Sequence, residues 1–358
     1  MNRKVVIVVV KNLTSGGAEK QSVLLARALA DDYSVHYIIL NARYQEPRYL
    51  SLLQEVPSIV VKAFKGHPGS RFAQFCRYLK QQEAEVVFSY LTGANFLSVI
   101  AAKCTGVRNI YTGIRSAYLP PAKALIDRWL CNAWATKAVL NCYSGRNYFS
   151  SRGFAEDKMV VIPNCFDAIR SYRNKDRQHA PLRIITVGRF VAEKDYYTAL
   201  DVILKLSLMH PGIKYQIVGH GALEAAIRGR IKELQLNHIV EVWINPADIA
   251  SMLDHADIYL STSVFEGTSN AIMEALNADL PVVATNVGDN DKLVAQGKNG
   301  FLVDVKDVDG MVSCLDKLLS NQRLRLEMGQ RGKQLLMENY SITRLVKSYR
   351  LLIEGGRL

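Results

Sequence analysis

The sequence predicts an α/β fold built from two doubly wound domains. Short apolar runs rich in β-branched residues alternate along the chain with windows of helical periodicity, which is typical of mostly parallel sheets covered by helices. The chain has 358 residues, which is long for one hydrophobic core and sufficient for two. A polar, charged segment at 169–181 lacks apolar periodicity and separates two such series. We therefore expect domains at 1–168 and 182–337, joined by this linker.

The first domain is predicted to begin with a strand, a glycine loop and a helix. The run from Lys4 to Val10 precedes Gly16 and Gly17, and apolar residues then recur at helical spacing from Val23 to Leu29. The two glycines would let the backbone approach a ligand, although a tight turn without a ligand is equally compatible. Further strands are predicted at Val35–Leu40, Ile59–Ala63, Val86–Leu91, Asn109–Thr112 and Ala138–Cys142.

Polar residues follow two neighbouring strands of this first sheet. Ser89 and Tyr90 end one strand, and Arg115 lies on the loop after the next. Ligands of parallel sheets bind at the carboxyl ends of the strands, so these residues are candidate ligand contacts. Arg115 suits a phosphate or an acceptor oxygen, but a surface ion pair would use the same residue.

The second domain repeats the alternation. A loop with Gly188, Arg189 and Lys194 follows the strand Leu182–Val187, and two cations at a strand end can neutralise a diphosphate. Their alternative role is ordinary surface charge. Later strands are predicted at Lys214–Val218, Val240–Ile244, Ala256–Leu260, Pro281–Thr285 and Gly300–Val303.

The stretch from Ser263 to Leu276 is the most informative in the chain. A loop of small residues enters a helix, and such a helix start directs unpaired N–H groups and the positive dipole end towards an anion. Glu266 and Glu274 flank this start, and carboxylates suit the hydroxyls of a ribose or a sugar. Phosphate and sugar together indicate a nucleotide-sugar, whereas an N-capping loop with two solvated glutamates is the alternative.

Charge is concentrated in the first half. Residues 1–168 hold 21 Lys and Arg against 11 Asp and Glu, which favours an anionic partner or serves solubility alone. Two amphipathic segments there, 69–82 and 121–134, carry apolar and aromatic residues beside basic ones. Such a stripe can lie on an anionic membrane surface or can face the protein core.

Several function classes lack their usual signals. No apolar run approaches the roughly 20 residues that span a bilayer, so we expect no membrane-spanning helix. The six cysteines form no CxxC pair, and we expect thiols in a reducing cytosol.

Gly219-His220-Gly221 begins a dinucleotide fingerprint but lacks its third glycine. Asp289-Asn290-Asp291 and Asp307-Val308-Asp309 match a DxD metal pattern, and we interpret both as turns and expect no metal.

Four motifs resemble one known family. They are Gly16-Gly17-Ala18-Glu19, Val161-Ile162-Pro163-Asn164, Val187-Gly188-Arg189-Phe190 with Glu193-Lys194, and Glu266 with Glu274 in the central stretch. Together they resemble glycosyltransferase family 4, whose members are retaining, nucleotide-sugar-dependent enzymes of GT-B fold. This implies two Rossmann-like domains facing a cleft, with a last helix at 338–358 that crosses back to the first domain.

The resemblance also implies residue roles. Glu274 would hold the ribose, Glu266 the donor sugar near the reacting carbon, and Arg189 and Lys194 the leaving diphosphate. The remaining donor contacts would come from Gly16, Gly17, Gly188, Ile244, Asn245, Gly267, Thr268, Ser269 and Asn270. We assign Ser89, Tyr90, Arg115 and Asn164 to the acceptor side. Many relatives carry a histidine in the loop where this chain has Gly113-Ile114-Arg115, and we expect Arg115 to take over part of its role.

We therefore expect a retaining, metal-independent glycosyltransferase. It would move a hexosyl or N-acetylhexosaminyl group from a UDP-sugar to a polyprenyl-diphosphate-linked or glycan acceptor, at the cytoplasmic face of an anionic membrane, in bacterial surface polysaccharide biosynthesis. We expect no cofactor and no nucleic-acid partner. A GT-B-fold isomerase or phosphorylase, or a non-catalytic polyanion- or membrane-binding protein, are the alternatives.

Overall fold

The computed structural model describes residues 3–43, 45–166 and 181–356. The chain divides into two compact units, Met1–Asp167 with Tyr340–Leu358, and Ala168–Asn339. Nearly all of the predicted linker at 169–181 lies outside the described residues. The last part of the chain therefore belongs to the same unit as its beginning.

The first unit is a seven-stranded parallel sheet in the order β3-β2-β1-β4-β5-β6-β7. Its strands are β1 Val5–Val10, β2 Ser34–Ile39, β3 Val60–Ala63, β4 Val86–Tyr90, β5 Asn109–Ile114, β6 Lys137–Leu140 and β7 Met159–Val161. Its helices are α1 Gly17–Leu29, α2 Pro47–Gln54, α3 Pro68–Gln81, α4 Thr92–Thr105, α5 Pro121–Ala133, α6 Tyr143–Ser150 and, from the end of the chain, α14 Ile342–Ile353.

The second unit is a six-stranded parallel sheet in the order β10-β9-β8-β11-β12-β13. Its strands are β8 Arg183–Val187, β9 Lys214–Gly219, β10 Val240–Ile244, β11 Ile258–Ser261, β12 Val282–Thr285 and β13 Gly300–Val303. Its helices are α7 Tyr196–Met209, α8 Glu224–Glu233, α9 Ile249–Asp254, α10 Asn270–Asn277, α11 Asn290–Leu293, α12 Val308–Leu319 and α13 Gln322–Tyr340, which extends into the first unit. The prediction of two doubly wound domains is confirmed.

The central strand of the first sheet is buried on both faces. β1 pairs in parallel with β2 on one side and with β4 on the other, and Val6 to Val10 are all buried. Helices cover both faces of such a sheet, so a continuous β-branched run suits it better than alternating polarity. One helix that covers this core is α14, whose Leu345, Tyr349 and Leu352 are buried there.

The two amphipathic segments differ in what they face. In α3, Phe75 and Leu79 are buried in the core, so this stripe packs inside the first unit. In α5, Leu130 is buried, whereas Leu125 and Trp129 are 57% and 45% exposed. The sequence could not separate these two outcomes, because both stripes combine aromatic and basic residues. None of the helices in the described residues is both long enough and apolar enough to cross a bilayer.

Candidate functional site

The candidate site of the second unit lies at its topological switch point. The chain runs from β8 through β9 to β10 in one direction across the sheet, and from β11 through β12 to β13 in the other. Neighbouring β8 and β11 are parallel, so the loops at 188–195 and 262–269 leave the same edge of the sheet. Open α/β sheets bind ligands at this point.

Hydrogen bonds hold these two loops against each other. The Val264 backbone N–H donates to the Glu193 carbonyl over 2.8 Å. The hydroxyl of the buried Thr262 lies 3.0 Å from the Lys194 carbonyl oxygen and 2.9 Å from that of Asp195. The relative position of the predicted cation and the predicted acid is therefore fixed by backbone contacts.

Lys194 and Glu266 form an ion pair across the switch point. The Ser263 hydroxyl also donates to Glu266 Oε1 over 2.8 Å, and the two charged side chains are 19% and 12% exposed. Partial burial strengthens the attraction relative to a surface pair. The structure thus brings together a cation and a carboxylate that the sequence placed 72 residues apart.

Two buried tyrosines lie beneath the pair. Tyr259 donates to the Val187 carbonyl over 3.1 Å, and Tyr196 donates to the Gly188 carbonyl over 3.0 Å. Burial raises the pKa of Tyr259 well above its usual value, and the negative charges of Glu266 and Glu274 raise it further. Both predicted carboxylates therefore act electrostatically on one buried hydroxyl.

The start of α10 completes this edge. Ser269 is the N-cap, and its hydroxyl accepts from the Ile272 backbone N–H. The loop before it is held by Asp289, which accepts from the Thr268 hydroxyl over 3.1 Å and whose N–H donates to the Gly267 carbonyl. The first N–H groups of a helix and its dipole attract anions.

The other predicted donor residues occupy the same edge of the sheet but have different environments. Arg189 is exposed on the loop after β8. Ile244 ends β10, and the N–H of Asn245, the next residue, donates to the Gly219 carbonyl over 3.2 Å. A Cβ on Gly219 would lie 1.9 Å from the Gly188 carbonyl oxygen. The glycines around His220 thus permit close packing of neighbouring loops.

The first unit holds a cavity of about 450 Å³ at its own switch point, between β1 and β4. Of the acceptor-side predictions, Tyr90 and Arg115 line it. Ser89 is buried and donates to Asn95 Oδ1 over 2.8 Å, and Asn164 is buried after β7. Gly16 is the N-cap of α1, and Gly17 is its first residue. None of these last four residues is in the cavity lining.

Other groups of the two candidate sites, one in each unit, were not anticipated from the sequence. Thr262, Tyr196 and Tyr259 support the loops of the second unit, and Tyr349 contacts Arg115 in the first. The only available signal was the position of Thr262 directly after an apolar strand. Within the described ranges, no group of three or more His, Cys, Asp or Glu side chains could hold a metal ion.

Two family models together cover most of the chain. "Glycosyltransferase Family 4" matches residues 15–170, and "Glycosyl transferases group 1" matches residues 169–335. The two models meet at the boundary between the two units.

Curated relatives match the chain to different extents. The N-acetylgalactosamine-N,N'-diacetylbacillosaminyl-diphospho-undecaprenol 4-alpha-N-acetylgalactosaminyltransferase of Campylobacter jejuni is 23% identical over 90% of this chain and 92% of its own. The amylovoran biosynthesis glycosyltransferase AmsK of Erwinia amylovora is 31% identical over 45% of this chain and 40% of its own. The chain spans about half the length of several other curated relatives that it matches, between 45% and 47%.

A solved structure shares the fold over nearly the whole chain. Anabaena Alr3699/HepE in complex with UDP has a TM-score of 0.84 with 18% identity, covering 98% of this chain and 100% of that one. The strand order and switch point of each unit, and both family models, agree with this likeness. The chain belongs to glycosyltransferase family 4 and has the GT-B fold.

Proposed function

We propose that this protein is a retaining glycosyltransferase that moves a hexosyl or N-acetylhexosaminyl group from a UDP-sugar to a polyprenyl-diphosphate-linked acceptor. One observation carries the proposal: the ion pair between Lys194 and Glu266 lies beside the N-terminus of α10 at the switch point of the second unit. Relatives with lipid-linked acceptors in their names, among them the Campylobacter enzyme, support the acceptor class. A structural neighbour in complex with UDP supports the nucleotide.

The charges of the site suit the departure of a diphosphate. Lys194 and Arg189 lie on one loop, and Lys194 would exchange its contact with Glu266 for the diphosphate when the donor binds. Glu266, released from that contact, would accept hydrogen bonds from sugar hydroxyls, and Glu274 from the ribose. Two cations on one loop and a helix start would stabilise the leaving group without a metal ion.

We expect a transfer in which the departing diphosphate itself takes the acceptor proton. An acceptor hydroxyl oxygen forms a bond to the anomeric carbon while the bond from that carbon to the phosphate oxygen breaks. The hydroxyl proton passes to the departing phosphate oxygen, and the attack occurs on the face that the diphosphate leaves. The configuration at the anomeric carbon is therefore retained, and no protein base is needed.

Transfer of radiolabelled sugar from a panel of UDP-sugars to a polyprenyl-diphosphate-linked monosaccharide tests the proposal. We expect Lys194→Ala and Glu266→Gln each to lower kcat by about 10²–10³-fold, the size of effect when one transition-state contact is removed. Lys205→Ala breaks the exposed Lys205–Asp309 pair of the same unit and should leave kcat unchanged. Near-normal transfer by Glu266→Gln, an inverted product by NMR, or turnover of the UDP-sugar without acceptor would overturn it.

We further propose that α5 contacts an anionic membrane. Leu125 and Trp129 are exposed on this helix beside Lys123 and Arg128, so an apolar surface and positive charge lie together. Flotation with vesicles containing phosphatidylglycerol should recover the protein, and Leu125→Glu with Trp129→Glu should reduce recovery. Leu208→Glu, at an 80% exposed leucine of the second unit, is the matched control. Equal recovery of all variants would contradict this contact.

A further inference from the structure

The cavity of the first unit is lined by three cationic and two acidic side chains. Lys11, Arg115 and Lys123 line it together with Glu19 and Asp127. Its volume of about 450 Å³ lies within the range of small-molecule sites, roughly 300–1,000 Å³. Its position at the carboxyl edge, between β1 and β4, is where parallel sheets bind ligands.

Arg115 is held in this wall by neutral groups. Its Nη2 donates to the Tyr349 hydroxyl over 2.7 Å, and its guanidinium carbon lies 4.4 Å from the centroid of the Tyr90 ring. Its Nε atom is buried and has no hydrogen-bond partner, and no ion pair forms with Arg115 within 3–43, 45–166 and 181–356. A half-buried cation without a counter-charge costs free energy, and an anionic ligand would reduce that cost.

The two acids of the cavity are engaged elsewhere. Asp127 accepts from the Thr92 hydroxyl over 2.6 Å and from Asn95 Nδ2 over 2.9 Å, and burial raises the pKa of its carboxyl. Glu19 accepts from the Thr14 hydroxyl over 2.9 Å. Lys11 and Lys123 are exposed at the same wall. The cavity therefore holds three cations against two carboxylates, which leaves its lining with a net positive charge.

Tyr349 reaches Arg115 from the last helix. Its ring packs edge-on against Phe88 of β4 with 5.0 Å between centroids, and its hydroxyl lies 3.5 Å from that of Tyr90. The ring is buried, so the hydroxyl is fixed where Arg115 Nη2 meets it. The C-terminal helix thereby sets the direction of the guanidinium.

We infer that this cavity binds the diphosphate of the lipid-linked acceptor through Arg115, with Tyr349 as its positioning residue. The inference rests on the proposed function, because it names the group of the acceptor that the first unit recognises. A planar guanidinium offers several donors in one plane and suits a phosphate better than a lysine does. Since the donor also carries a diphosphate, the two sources must be separated by experiment.

Calorimetric titration of the full chain with geranyl diphosphate, geraniol and UDP makes this separation. We expect geranyl diphosphate to bind and geraniol not to bind measurably. Arg115→Met should weaken geranyl diphosphate at least about tenfold, as for loss of a charge-assisted hydrogen bond, and leave UDP affinity unchanged. Its melting temperature should stay the same or rise, because a half-buried charge without an ion-pair partner is replaced by an apolar side chain. Tyr349→Phe should weaken geranyl diphosphate about threefold.

Tyr33→Phe is the matched control for Tyr349→Phe. Tyr33 also donates to the end of the C-terminal part of the chain, at Glu354 over 3.1 Å, but it does not line the cavity. Its variant should bind geranyl diphosphate as the unaltered protein does. An equal loss in both tyrosine variants would show that only helix docking matters, and would overturn the positioning role of Tyr349.

Other results overturn the inference as a whole. The inference would be wrong if Arg115→Met bound geranyl diphosphate with unchanged affinity. It would also be wrong if this variant lost affinity for UDP alone, because Arg115 would then contact the donor diphosphate. A large fall in melting temperature with loss of both ligands would show a structural role. If geranyl diphosphate binds through Arg115 but the protein transfers no sugar, the proposed function is wrong and the anion site remains supported.

Discussion

The ammonium of Lys333 lies 2.6 Å from the carboxylate of Asp279, and the two side chains are only 1% and 8% exposed. Lys333 belongs to α13, and Asp279 lies just beyond the end of α10 with φ of +55°. The pair therefore ties α13 to the end of the helix that carries Glu274. Buried ion pairs are costly to break, because one charge then remains in a poorly solvated position.

Lys333→Met should destabilise the protein by about 3–5 kcal/mol, since it removes the ion-pair partner of the buried Asp279. The measurement is urea unfolding followed by circular dichroism. Lys205→Met, at the exposed Lys205–Asp309 pair, should cost less than about 1 kcal/mol. The double variant Asp279→Gly with Lys333→Met should recover part of the loss, because glycine tolerates a positive φ and carries no charge. A double variant less stable than Lys333→Met would contradict this explanation.

Gly288→Ala should lower the rate of transfer about 10²-fold while the second unit stays folded. Gly288 has φ of +58°, and a Cβ there would lie 2.3 Å from the Glu266 carbonyl oxygen, so the loop with Glu266 would have to move. A displacement of about 1 Å at a catalytic group can cost about 10²-fold in rate. Gly229→Ala is the control, because nothing lies within 4 Å of a Cβ on that residue of α8. The measurements are initial rates of transfer and circular dichroism of both variants. Full activity of Gly288→Ala would show that a Cβ at this position does not displace Glu266.

Thr262→Val should lower kcat more than it lowers donor affinity. The change keeps the shape of the side chain but removes the hydroxyl that contacts the Lys194 and Asp195 carbonyls. We expect kcat to fall about tenfold as Lys194 loses its fixed position, with KM for the UDP-sugar changing less than about threefold. Thr105→Val, which removes a hydroxyl bond to Ala101 within α4, should leave both constants unchanged. A pure KM effect would argue that Thr262 serves binding alone.

His36 should make the protein less stable in mild acid. Burial lowers the pKa of this imidazole, which contacts the Tyr78 hydroxyl at 2.8 Å. The unfolded chain then binds more protons than the folded one as the pH falls below about 6.5. The stabilising contribution is complete above that pH and is lost on acidification.

Melting temperatures at pH 8 and pH 5 check this dependence. His36→Phe should show a smaller decrease between the two pH values than the unaltered protein, because the titrating group is gone. His238→Phe, at an exposed histidine, should show the same decrease as the unaltered protein. If His36→Phe retains the whole decrease, other groups cause it.

The local residue pattern predicted the strands and helices. It could not predict contacts between residues that are far apart in the sequence. The strand at Val5–Val10 follows from a continuous β-branched run, and the start of α10 follows from small capping residues before an apolar face. The bond from Arg115 to Tyr349 joins residues 234 positions apart, and its geometry depends on how α14 packs against the sheet. Periodicity identifies which face of a helix is apolar but not which residue its polar groups meet.

The order of synthesis has a consequence for the first unit. The residues that fill part of its core, Leu345, Tyr349 and Leu352, are translated after every residue of the second unit. A chain emerging from the ribosome can therefore complete the second unit while the first still exposes the apolar face that α14 covers. The first unit, most of which is synthesised first, is therefore the last to complete its hydrophobic core.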